Sequence, residues 1–278
     1  MIRLRDLMTR SSRAKYLLWR TGLLGDAVAV RFLGGEAIVL ERSLFHGLGI
    51  AYEIFVSNVY QSPRSIDRDS VKRIVDVGAN VGFSVAYWAA RYPGARIDAF
   101  EPHPKHLATL RRTISLNRLD ERVFVYPAAA GVSDGSSNLL SAGVCSRIDT
   151  QQENREVARG LETIEVPVVD FFSAIGSDQI DLLKIDCEGA EYDLLMDRRF
   201  AEIDARAIVM EWHTTSSHPE ANHELAERLR SLNWDICEIP GETLSPIDEL
   251  GILRAGVFWA YRQTPARAGV PHPRSSSA

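Results

Sequence analysis

Acidic side chains and one imidazole fall at chemically suggestive places in this sequence. Asp76 lies within one apolar run and Glu101 at the end of another, Asp186 and Glu188 sit in KIDCEGAE, and Glu211 and His213 sit in VMEWH. Carboxylates can accept hydrogen bonds from sugar hydroxyls, balance a cation or take a proton, and histidine is a natural base near neutral pH. Between the first two acids runs DVGANVG, a glycine turn opening a helical segment, with Asn80 between Gly78 and Gly82. Such turns commonly receive a nucleotide at the helix N-terminus.

Asn80 narrows the choice of ligand. In a dinucleotide fingerprint the central glycine lets the backbone approach a pyrophosphate, and here that position carries a side chain. No GK[ST] follows to supply the lysine that would neutralise a triphosphate. S-adenosylmethionine remains, a nucleoside without phosphate: its carboxylate suits the helix N-terminus, and its ammonium and sulfonium favour acids such as Asp76. Glu101, in IDAFEP, is placed to accept both ribose hydroxyls. The expected cofactor-binding set is Asp76, Gly78, Asn80, Gly82, Glu101 and Asp186. A nicotinamide cofactor is the alternative, consistent with the fold and Glu101 alone.

The elements that must position these residues follow from periodicity. Apolar runs at Ile74 to Val77, Ile97 to Phe100, Val123 to Tyr126, Leu182 to Ile185, Ala207 to Met210, Trp234 to Ile239 and Val257 to Tyr261 read as strands. Helical periodicity fits Gly82 to Arg91, Pro104 to Leu116, Ala190 to Arg199 and Pro219 to Leu232. This alternation predicts an α/β fold, a mostly parallel sheet with helices on both faces. Upstream, Val28 to Leu33 and Ala37 to Leu40 flank Gly34-Gly35, so residues 1–70 read as a cap of one helix and a hairpin before the main domain, 71–263. Between Ala128 and Val169 a hairpin turning at Asp134-Gly135 and then a mobile polar run are expected, and residues 264–278 have the composition of a disordered tail.

Composition bounds the function class. The chain has 278 residues, 45% hydrophobic and 25% charged, with a net charge of -5, and no basic field for gripping nucleic acid. Its three cysteines, Cys145, Cys187 and Cys237, form no CxxC pair, which points away from disulfides and zinc and toward a reducing cytoplasm. No apolar run is long enough to span a bilayer, and the Arg-rich start reads as a helix packed on the main domain.

IVDVGANVG, FEP, LLKIDCEGAEYDLL and VMEWH together resemble the FkbM family of class I S-adenosylmethionine-dependent methyltransferases, and YEIFVSNVY is similar to the segment that commonly precedes the first core strand there. The resemblance covers Tyr52 to about His213. It implies a Rossmann-like, seven-stranded sheet and O-methylation of a sugar, glycan or natural-product hydroxyl. Cys187 stands at the family's variable position and reads as a buried small residue.

For catalysis the expected set is His213, Asp186 and Glu188. His213 has the better matched intrinsic pKa, Asp186 belongs to the more specific motif, and Glu188 either caps the following helix or faces the reaction. Asp186, Glu188 and His213 are also types that bind divalent metal, but no HxH or HExxH spacing accompanies them and the expected site is metal-free. Lys184, inside an apolar run, is expected to snorkel or pair with a carboxylate. His103 and His106 are expected to cap or cover the adenosine, and Tyr52, Phe55, Tyr60 and Trp212 either line an acceptor site or belong to the core. A non-catalytic cofactor-binding relative is the remaining alternative.

Overall fold

In the computed structural model, residues 8–21, 26–32, 37–41, 48–142, 145–148, 161–237 and 250–262 are described. Helix α1 (Arg10–Arg20) buries Tyr16 and Trp19 beneath the antiparallel hairpin of β1 (Ala27–Arg31) and β2 (Ala37–Glu41). A second helix, α2 (Leu48–Phe55), corrects the one-helix cap read from the sequence; at 8 residues it carries only one or two turns of apolar period. Its Phe55 stacks on Phe32 at 4.4 Å and meets the edges of Phe83 and Tyr87. Cap and core therefore share one continuous apolar cluster.

The core strands are β-branched and leucine-rich runs that are buried on both faces, as parallel strands covered by helices must be. They are introduced by β3 (Arg73–Val77), followed by α3 (Phe83–Arg91), β4 (Arg96–Phe100), α4 (Pro104–Leu116) and β5 (Val123–Tyr126). Next come β6 (Ala129–Gly131), β7 (Gly135–Ala142), β8 (Cys145–Ile148), β9 (Glu162–Asp170) and α5 (Phe171–Ile175). The chain then returns through β10 (Ile180–Ile185), α6 (Glu191–Met196), β11 (Ala205–Thr214), α7 (Ala221–Ser231), β12 (Trp234–Ile236) and β13 (Arg254–Arg262). The main sheet has seven strands in the order β12-β13-β11-β10-β3-β4-β5, with β13 antiparallel to both its neighbours and the pairs from β11 to β5 parallel. This is the Rossmann-like class I methyltransferase sheet expected above. The order reverses between β3 and β10, and the carboxyl ends of those two strands form the crevice in which open α/β sheets bind ligands.

Two expectations need correction. The Asp134-Gly135 turn does not make a simple hairpin, because β9 inserts between β6 and β7 in a sheet ordered β6-β9-β7-β8. The run ETIEVPVVD carries Pro167, which weakens a strand signal, yet it pairs with both neighbours. The helix expected over Ala190 to Arg199 stops at Met196; Asp197 turns extended and caps a separate 3-10 turn, Arg198–Glu202, by accepting from the Arg199 N–H. The Gly34-Gly35 turn, most of the polar run, Ile239 and the tail lie outside the described residues.

Candidate active site

The cleft at the reversal point is lined by Gly78, Asn80, Glu101, Asp186, Cys187 and Glu188 among others. Its floor explains the glycines. Gly78 has φ +82°, and a Cβ there would lie 1.8 Å from the Asp186 carbonyl oxygen, so glycine is required by the approach of β3 to β10 rather than by a ligand. Gly82, φ +94°, faces Leu110 and Thr113 of α4 with no room for a methyl and does not line the cleft. Asn80 also has a positive φ, 50°, which asparagine tolerates. Its N–H donates to Glu101 Oε2 at 2.8 Å, while the His103 N–H donates to Oε1 at 2.8 Å, so Glu101 is held rigid and 4% exposed at the cleft wall.

Asp76 is fully buried beneath this floor and does not line the cleft. It pairs with Lys184, whose Nζ lies 3.2 Å from Asp76 Oδ1 and 3.1 Å from Asp186 Oδ2 and donates to the carbonyls of Gly78 and Val77 at 2.6 and 3.2 Å. Burial opposes the charge on this ammonium, but Asp186 and Asp76 outweigh it and hold its pKa above the usual lysine range. In place of a ligand contact, Asp76 therefore balances the cation that ties β3 to β10. His103 caps α4 through Nδ1, accepting from the Lys105 N–H at 3.1 Å, and His106 stacks on it at 4.2 Å; both are buried behind Glu101.

The other wall is an acid cluster around one imidazole. Alternation along β11 puts Glu211 and His213 on one face, with Trp212 opposite in the core. His213 Nδ1 lies 3.0 Å from Oε1 of Glu191, which also accepts from the His213 N–H, while Glu191 Oε2 accepts from the Gly189 N–H. A carboxylate there assigns the proton to Nδ1. His213 Nε2 is 3.3 Å from an oxygen of both Glu188 and Glu211. Burial works against its charge, yet Glu191 and Glu188 prevail and raise the imidazole pKa well above its ordinary value. This moves His213 away from the matched intrinsic pKa expected from the sequence, and its side chain is only 2% exposed. Conversely, burial pushes the Glu188 carboxyl up to about 8, with His213 opposing and Asp186 adding to the rise. Glu188 also sits at φ 55°, a costly conformation for glutamate of the kind found at functional sites.

Tyr60 alone of the four aromatic candidates reaches these acids, donating to Asp186 Oδ2 at 3.0 Å and toward Glu211 at 3.4 Å while its ring stacks on Trp88. Phe55 and Trp212 are buried in the core, and Tyr52 is half-buried against it. Partial desolvation by its neighbours, then the like charges of Glu211 and Asp186, push the Glu53 carboxyl up to about 7, although this α2 side chain stays open to solvent on its outer side. Cys187 is half-buried, and burial followed by Glu191 pushes its thiol up, away from a thiolate nucleophile.

The Methyltransferase FkbM domain family matches residues 76–234, more than half of the chain and the whole span from the buried Asp76 past His213. The chain belongs to the FkbM methyltransferase family. Methyltransferase 1 of Beauveria bassiana is 31% identical over 162 residues, covering 51% of this chain and 64% of that protein, just under two thirds of its length. Methyltransferase sdnD of Sordaria araneosa is 27% identical over 205 residues, covering 63% of this chain and 79% of that protein. A solved FkbM methyltransferase from Methylobacillus flagellatus KT is 18% identical, with a TM-score of 0.47, over 74% of this chain and 47% of its own.

Within this member of the FkbM family, the residues singled out in sequence divide into three groups. Gly78, Asn80, Glu101, Asp186 and Glu188 line the cleft. Asp76 and Gly82 support its floor from below, and His213 lies behind its acid wall. Glu191, Glu53 and the hydroxyl of Tyr60 were given no role by the sequence. Glu191 stands in the EGAE motif as a first-turn acid, which reads as an ordinary helix-dipole residue until the fold brings β11 alongside.

Proposed function

We propose that this protein transfers the methyl group of S-adenosylmethionine to a hydroxyl oxygen of a small molecule, sugar or natural product. The observation that carries the reading is the charge of the cleft: Glu101, Asp186 and Glu188 line it, and among the described residues no lysine or arginine does. Such a wall suits a nucleoside bearing ammonium and sulfonium groups, whereas the two phosphates of a nicotinamide dinucleotide would meet carboxylates without a counter-charge. Glu101 keeps lone pairs beyond its two backbone bonds and is the residue to receive the ribose hydroxyls. When bound, S-adenosylmethionine supplies an electrophilic methyl on a positively charged sulfur.

The chain contributes alignment, exclusion of water and a place for the proton. Glu188 lines the cleft and His213 does not, so Glu188, in the carboxylate form that prevails above about pH 8, receives the acceptor's hydroxyl proton. Glu191 and His213 position Glu188 from behind, and Lys184 with Tyr60 fixes Asp186. Isothermal titration with S-adenosylmethionine, S-adenosylhomocysteine and NAD tests the cofactor. Micromolar binding of the first two and none of the third is expected; NAD binding without S-adenosylmethionine binding overturns the reading.

A further inference from the structure

The ends of β10 and β11 carry a second binding site: we propose that Asp186, Glu211 and His213 hold a divalent cation. One donor atom from each lies within 4.8 Å of the others. Opposite donors around a magnesium or calcium ion stand about 4 to 5 Å apart, twice the bond length, so the three groups are spaced as ligands of one ion. The spacing arises from the sheet. Glu211 and His213 are two apart on one strand, and β10 runs parallel beside them with Ile185 paired to Met210, which brings Asp186 level with Glu211.

The imidazole is arranged as a ligand. His213 Nδ1 is committed to Glu191, itself fully buried and anchored to backbone N–H groups, in the carboxylate–imidazole relay that orients metal-binding histidines. Its Nε2 is buried and lies 3.3 Å from an oxygen of both Glu188 and Glu211 without hydrogen-bond geometry to either, so the ring protonated on Nδ1 presents an Nε2 lone pair between two carboxylates. Charge points the same way. Asp76, Asp186, Glu188, Glu191 and Glu211 converge here, and among the described residues the one lysine between them already serves Asp76, Asp186 and two carbonyls. Tyr60 and Lys184 both contact Oδ2 of Asp186. The side chains of Asp186 and Glu211 keep 20% and 15% exposure, so the site opens on one side, where water or an acceptor oxygen can complete the shell. Mixed carboxylate and imidazole donors suit ions such as Mn²⁺. On the methyl-transfer reading, the ion binds the acceptor oxygen and makes its hydroxyl proton easier to pass to Glu188; the cation site itself stands without that reading.

The test is titration of the full, metal-stripped chain with Mn²⁺ alone, followed by electron paramagnetic resonance. One Mn²⁺ per chain is expected, with Kd below ~1 mM and magnetic coupling to a directly bonded nitrogen. His213→Gln should abolish that coupling, and Glu211→Gln should weaken binding more than ~10-fold. Glu191→Gln keeps all three donors but frees the ring, and should cost ~10- to 100-fold in affinity. Circular dichroism identifies folded variants; if none folds, nitrogen coupling in the parent chain decides. Absence of saturable uptake below ~10 mM, Mn²⁺ bound without nitrogen coupling, or affinity unchanged in folded Glu211→Gln overturns the site. S-adenosylmethionine titrated into the same stripped chain reports on the methyl-transfer reading separately.

Discussion

On the β4 side of the cleft, Glu101 accepts a backbone N–H with each oxygen, at 2.8 Å in both cases. On the β10 and β11 side, Glu188 and Glu211 converge on a single imidazole nitrogen, and Asp186 shares one lysine with Asp76. The first carboxylate is fixed by neutral dipoles from the loops it joins. The second group is held together by one lysine and one imidazole set among an excess of like charge. A wall of the first kind recognises a ligand with little reorganisation; a wall of the second kind attracts cations and takes up protons. The comparison teaches that acids of one type, at equivalent strand ends, acquire different uses from what the neighbouring backbone offers them.

The most damaging way to break this contrast is to remove the cation beneath the acid wall. Lys184→Met leaves Asp76 buried without its partner and is expected to lower stability by about 3 to 5 kcal/mol in urea denaturation, with Asp76→Asn restoring part of the loss. A parental midpoint in Lys184→Met would show that the brace is dispensable. Within the acid wall, Glu188→Gln is expected to reduce turnover by about 100- to 10,000-fold while S-adenosylmethionine affinity stays within about threefold. Turnover near the parental rate would move the proton acceptor elsewhere in the cluster.

The recognition wall should behave in the opposite sense. Glu101→Ala removes charge-assisted bonds worth about 1.5 to 3 kcal/mol, so cofactor affinity is expected to fall about ten- to a hundredfold by calorimetry. An unchanged dissociation constant would mean that Glu101 only ties its loops. The smallest effect sits at the rim. Glu53 is raised from 4.5 to about 7, so the folded chain retains a proton that the unfolded chain releases. That contribution is complete below about 4.5 and is lost as pH rises through about 7. Glu53→Gln should therefore match the parent near pH 4.5 and exceed it above pH 7, by less than about 1 kcal/mol because the side chain is exposed. Thermal melts across that range measure the difference, and a constant offset would remove Glu53 from the cluster's field.

The core strands and α4 were legible because their signals are local. Pro104 to Leu116 matches its helix end to end, with Pro at the first turn, and each apolar run from Ile74 to Tyr126 finds its strand. The small sheet was harder to read: β9 carries Pro167 and pairs with a segment on either side, and partners distant in sequence leave no periodic trace. Of the site, the acid positions and the glycine turn could be seen, and their division of labour could not. Asp76 and Asp186 look alike as acids of two strands, yet the side chain of one is fully enclosed and that of the other is 20% exposed in the cleft.

By itself the sequence determined the α/β alternation, the seven core strands, the acid at the end of β4 and the KIDCEGAE and VMEWH motifs, because residue type and spacing set backbone preference and which residues share a strand face. Only the tertiary structure decided that Gly78 answers to the Asp186 carbonyl, that Glu191 holds His213, and that Glu188 rather than the imidazole faces the cleft. The physical reason is that these outcomes depend on distances between strands and on the field of charges brought together by folding. Neither is a property of any one segment.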